Sequence, residues 1–137
     1  MSRRQRGRAV FLGVAAVLAA ATLHACGGSP TEPASAGIVR MTLAYENACV
    51  GPVDLKLFDR TNGMVWPDAT SSYEIASQQR RSLSLDCRAQ AQVCYGALER
   101  ANPTHYWGVG LDNTQNCSDC CVSCGQSAPP VKVLVCN

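Results

Sequence analysis

Ile38-Val39-Arg40-Met41-Thr42-Leu43-Ala44-Tyr45 alternates apolar and polar side chains along its whole length. Val39, Met41, Leu43 and Tyr45 share one face of an extended chain, and Arg40, Thr42 and Ala44 share the other. A period of two marks a strand with one face buried. The pattern returns in Val53–Phe58, where Val53, Leu55 and Leu57 oppose Asp54, Lys56 and Phe58, and in Ser82–Cys87, where Leu83, Leu85 and Cys87 form the apolar face. Glu46–Pro52 breaks the first strand. Asp59–Gly63 reads as a turn, with Asn62-Gly63 supplying positive φ. Met64-Val65-Trp66 then returns as a hairpin partner until Pro67 stops it. Residues 72–76 read as a further short strand.

Residues 88–101 carry two competing signals. Val93, Cys94, Ala97, Leu98 and Ala101 fit helical spacing, but Gly96 interrupts it, and a strand through Val93–Ala97 is the reading adopted. Glu99–His105, which contains Asn102-Pro103, is expected to be a loop. Tyr106–Leu111 is expected to be a strand with Trp107, Val109 and Leu111 on one face. Gly108 and Gly110 leave its other face bare, so something bulky should lie against it. Val131–Cys136 is apolar on both faces after Lys132 and reads as a buried strand. Strands at this spacing point to an all-β fold, a small disulfide-rich sandwich or barrel of antiparallel strands.

Cys117-Ser118-Asp119-Cys120-Cys121-Val122-Ser123-Cys124 holds four of the nine cysteines within eight residues. Such a segment is either stapled by disulfides or loaded with metal, and the compartment decides between them. The N-terminus bears on that choice. Arg3, Arg4, Arg6 and Arg8 precede an apolar run of 15 residues from Ala9 to Leu23. Crossing a bilayer takes about 20 apolar residues, so the run fits the core of an export signal instead. It ends in Leu23-His24-Ala25-Cys26-Gly27, which resembles the lipobox of bacterial lipoprotein precursors.

That resemblance covers residues 1–26. It implies that Cys26 receives a diacylglyceryl group on its thiol and becomes the first residue after removal of a signal peptide, 1–25. It implies export and attachment to a bacterial membrane through an acyl anchor. Gly27 in place of Asp fits delivery to an outer membrane or cell surface. Residues 26–37, rich in Gly, Ser and Pro, read as a flexible linker of roughly 18 Å, and 38–137 as the folded domain. Once Cys26 is set aside, Cys49, Cys87, Cys94, Cys117, Cys120, Cys121, Cys124 and Cys136 remain. Eight is an even number, an exported chain meets an oxidising compartment, and four bridges are expected among 105 possible connectivities. Cys120 and Cys121 are expected to take different partners.

Four of the twelve basic residues lie in the leader, so eight face ten acids downstream and the net charge there is −2. The remaining basic residues are scattered, which excludes the electrostatic footprint of a nucleic-acid binder. Zinc or copper at Cys117–Cys124 is the alternative to bridging. However, four-cysteine zinc sites space their two ligand pairs apart, and here nothing separates Cys120 from Cys121. The two Cys-x-x-Cys pairs lack the strand–helix context of a redox motif. His105 sits in no recognisable nucleophile motif. No catalytic residue, cofactor site or metal site is assigned, and the chain is not expected to be an enzyme. Trp66, Tyr73, Tyr95, Tyr106 and Trp107 are candidates for an aromatic platform that would take a protein or glycan partner, with core packing as the competing role.

Overall fold

The computed structural model describes residues 37–136. The signal peptide, Cys26 and most of the linker fall outside them. Nine strands follow in chain order: β1 (Ile38–Asn47), β2 (Val53–Asp59), β3 (Val65–Trp66), β4 (Tyr73–Ile75), β5 (Arg80–Arg88), β6 (Gln92–Glu99), β7 (Asn102–Gly108), β8 (Cys121–Ser123) and β9 (Lys132–Leu134). They form two sheets. The first has the order β5-β1-β9. The second has β3-β2-β6-β7, with β4 also on β2 and β8 also on β6. The fold is therefore an open sandwich, not a closed barrel. Every pairing is antiparallel except β1 with β9, which is parallel.

The alternation written into the sequence selects the inner faces. Met41, Leu43 and Tyr45 of β1 and Leu83, Leu85 and Cys87 of β5 turn inward from the first sheet. Val53, Leu55 and Leu57 of β2 and Val93, Tyr95 and Ala97 of β6 turn inward from the second, and all twelve are buried. Tyr45 and Tyr95 meet across the gap with ring centroids 5.4 Å apart. Two buried polar side chains hold the connections. Asn47 donates through Nδ2 to the carbonyls of Gly51 and Ile75 and accepts at Oδ1 from the Cys49 amide, which pins the β1–β2 crossing. Asp59 accepts from the amides of Thr61 and Asn62, which closes the turn at Gly63, where φ is 74°.

Three of the expected elements differ. Asn102–His105 is strand, not loop, because β7 lies at a sheet edge where Pro103 forfeits no ladder donor. The segment after it does not run on to Leu111. The chain turns at Gly108 and Gly110, with φ of 63° and 70°, and only Val109 between them is fully buried. The C-terminal run is not buried on both faces. β9 spans three residues at the edge of the first sheet, so Leu134 is buried while Val133 and Val135 stay about half exposed. The sulfur-rich segment contributes the short strand β8.

Candidate functional site

All eight cysteines of the described residues are paired: Cys49–Cys136, Cys87–Cys124, Cys94–Cys121 and Cys117–Cys120. The connectivity is fully nested, each bridge enclosing the next. That pattern follows from the chain folding back on itself. β8 runs antiparallel to β6, so Cys94 lies opposite Cys121 in the ladder. Three residues beyond Cys121, Cys124 crosses from the end of β8 to Cys87, seven residues before Cys94, on the inner face of the first sheet. Cys120 and Cys121 take different partners, as expected. The two outermost cysteines do not bridge to the cluster. Cys49, just after β1, and Cys136, just after β9, lie together because β9 pairs alongside the end of β1.

The cluster thus fastens the segment from Val109 to Cys124 across the edge and outer face of the second sheet. The fit depends on glycine. A Cβ at Gly96 would fall on the Gly110 carbonyl, and one at Gly108 on the Tyr95 carbonyl. The close approach expected at Gly108 is therefore made chiefly by backbone, with the Tyr95 ring edge beside it. Phe58, on the outer face of β2, is buried under the same segment.

Where this cover ends, a groove of about 350 Å³ remains on the outer face. Lys56, Leu98, Tyr106, Leu111, Asp112 and Gln115 line it. Lys56 donates from Nζ to the Ala69 carbonyl at 2.7 Å. Asp112 accepts from the amide and hydroxyl of Thr114, bonds that hold its carboxyl below the usual range. Beyond the groove, Arg100 bridges Asp54 and Glu74. The Arg100 hydrogen bonds depress the Asp54 carboxyl, against the smaller opposing effect of burial. The groove combines an exposed phenol, an ammonium, a carboxylate and an amide around an apolar floor, a composition suited to a small polar or sugar-like surface.

The other candidates resolve differently. The five aromatic residues do not form one platform. Ladder partners place Trp66, Tyr73, Tyr95 and Trp107 on the inner face of the second sheet, opposite Leu57, Leu55, Leu57 and Ala97 respectively, and only Tyr106 faces outward. Core and edge packing is their role. Burial pushes the Tyr95 phenol up to about 12, with the Asp119 carboxylate adding to it.

His105 lies against the Trp107 ring at 4.4 Å between centroids, and its Nδ1 is 2.9 Å from a Glu99 carboxylate oxygen. An acyl-transfer site would also need a hydroxyl or thiol on the imidazole. The sulfur beside it, Cys136, is spent in a bridge. The same holds for metal binding. Cys94, Cys120 and Cys121 gather within 4.8 Å, but as bridge sulfurs and not as thiolates.

Searches of protein families, of curated proteins and of solved structures return no match to the chain. Sequence reasoning missed the groove. Its one legible trace was the glycine pair, Gly108 and Gly110, which announced that something lies close against the sheet without saying what that contact leaves open.

Proposed function

We propose that the chain is an exported, lipid-anchored protein of the bacterial cell envelope. Cys26 is the acylated first residue, 26–37 is the tether, and the disulfide-stapled sandwich is a binding or structural module. The observation that carries this reading is the closed pairing of the other eight cysteines. Each described cysteine finds its partner among the described residues. The ninth, Cys26, is thus not required as a bridge partner, and its place after Leu23-His24-Ala25 fits the acylated cysteine of a lipoprotein. Four bridges in about 100 residues also suit an oxidising compartment outside the cytosol. Two acyl chains are enough for stable anchoring without a polybasic patch, which the net charge of −2 downstream of the leader does not supply.

The module's partner would be a protein or a glycan of the envelope, met at the outer-face groove around Tyr106. The zinc or copper reading of Cys117–Cys124 loses its support from the bridging of those sulfurs. The test is Cys26→Ser in a bacterial host with a lipoprotein-processing pathway. The expected result is release of the domain from membranes, or retention of the uncleaved precursor. A substituted protein that still partitions into detergent at its mature size would overturn the reading.

A further inference from the structure

Sheet edges left open to solvent recruit other strands unless something blocks them. Most edges here are blocked. β9 is three residues long. β7 carries Pro103, and its register with β6 shifts at Leu98/Glu99. The β3–β4 side is interrupted by the loop that contains Pro67. β5 has none of these devices. It runs nine residues, Arg80–Arg88, in unbroken register with β1, and its other side has no strand among the described residues.

The ladder tells which of its backbone groups are unused. The Asn47 amide donates to the Gln79 carbonyl, and the Ala89 amide to the Gly37 carbonyl. These bonds place the odd-numbered residues of this stretch toward β1. In an antiparallel ladder the alternate residues then point their N–H and C=O the other way. Ser82, Ser84 and Asp86 therefore present backbone donors and acceptors to the open side, with no backbone partner for them among the described residues. Their side chains are exposed, while Leu83 and Leu85 between them are buried.

We propose that β5 pairs antiparallel with β5 of a second copy of this chain, about a two-fold axis at Leu83. Charge selects that register. With the axis at Leu83, Arg80 stands opposite Asp86 of the second copy and Ser82 opposite its Ser84, each contact occurring twice. Moving the axis to Ser84 sets Arg80 against Arg88, like against like. Moving it to Leu85 leaves no ion pair. All three registers keep the buried face inward, so the side-chain faces do not choose between them, and the arginine and aspartate positions do. Asp86 already accepts from Arg40 of its own β1 at 2.8 and 2.7 Å. A carboxylate has lone pairs enough for a second guanidinium. The four hydrogen-bonded residue pairs of this register would add about eight backbone bonds. The product is one continuous six-stranded sheet with a second sheet of each copy behind it.

The decisive variant is Ser84→Pro. The Ser84 amide points away from β1, so proline costs the β1–β5 ladder nothing and blocks only the outer edge. The full processed chain is followed by sedimentation over a wide concentration range, and by amide exchange at Ser82, Ser84 and Asp86. The expected result is concentration-dependent dimerisation, with those amides protected in the dimer and exchanging in the monomer. Ser84→Pro should be monomeric with an unchanged circular dichroism spectrum, and Ser84→Ala, which keeps the amide, should dimerise normally. If proline is not tolerated, Arg80→Asp replaces two attractive pairs with two repulsive ones and should weaken the dimer at least about tenfold. A chain that stays monomeric throughout overturns the proposal. So does a folded Ser84→Pro or Arg80→Asp variant that dimerises as tightly as the parent. Protection of the three amides in a monomer would also overturn it, because the edge would then be covered by a segment of its own chain.

Discussion

Removing the outermost bridge, by Cys49→Ala with Cys136→Ala, should be the most costly deletion in the framework. The bridge spans 87 residues, but 37 of these are already closed by Cys87–Cys124. The effective loop is therefore about 50 residues, which the chain-entropy relation converts to about 4 kcal/mol. Replacing both residues leaves no stray thiol to reshuffle. The innermost bridge, Cys117–Cys120, spans three residues and by the same relation contributes about 1.6 kcal/mol. Stability of small domains totals about 5–15 kcal/mol, so the outer deletion takes away a large share of it and the inner one a small share. Urea denaturation of the two double variants and the parent should separate the midpoints in that order. In thermal melts the outer variant should lose roughly 15–30 °C. Equal losses for the two variants, or a larger loss for Cys117–Cys120, would refute the assignment of stabilisation to loop closure.

Gly96→Ala should destabilise by about 1–3 kcal/mol, the usual range for overpacking, because the new methyl meets the Gly110 carbonyl. Gly51→Ala, whose methyl would reach only Ala101 at 4.0 Å, should be close to neutral in the same chemical melt. Acid stability should depend on Arg100. Asp54 titrates below its ordinary value in the folded state, so its contribution is full above the unfolded value of about 3.9 and is lost as pH falls through the folded one. Arg100→Ala should accordingly raise the midpoint of acid unfolding, read by fluorescence between pH 5 and 1, and an unchanged midpoint would count against the pairing.

Much of the fold is legible in the chain because one interaction dominates each strand. In β1, β2 and β5 the inner residues are aliphatic at every second position, and burial of that face fixes both strand and orientation. β6 was harder, since Cys94, Gly96 and Leu98 lie under cover on the outer face and blur the alternation. β7 was hidden by Pro103, which argues against a strand unless its place at a sheet edge is known. β9 was overread because the apolar run Val133–Cys136 looks the same in a central strand and at an edge that tolerates exposed Val133 and Val135. The disulfide pairing was out of reach for a similar reason. Spacing sets aside only a Cys120–Cys121 pair and leaves the other connectivities open, and the nested one follows only once β8 is seen to lie against β6 and β9 against β1. The groove depends on where the 109–116 segment stops covering the sheet, a matter of three-dimensional fit with no counterpart in residue pattern.

Intact mass spectrometry of the protein extracted from membranes bears most directly on the lipid-anchored, fully bridged state. The expected species begins at Cys26 and carries the mass of its acyl groups. Alkylation without reductant should add nothing, and alkylation after reduction should add eight groups, two for each of the four bridges. A chain that begins elsewhere, or lacks acyl mass, or takes up alkyl groups before reduction, would contradict it.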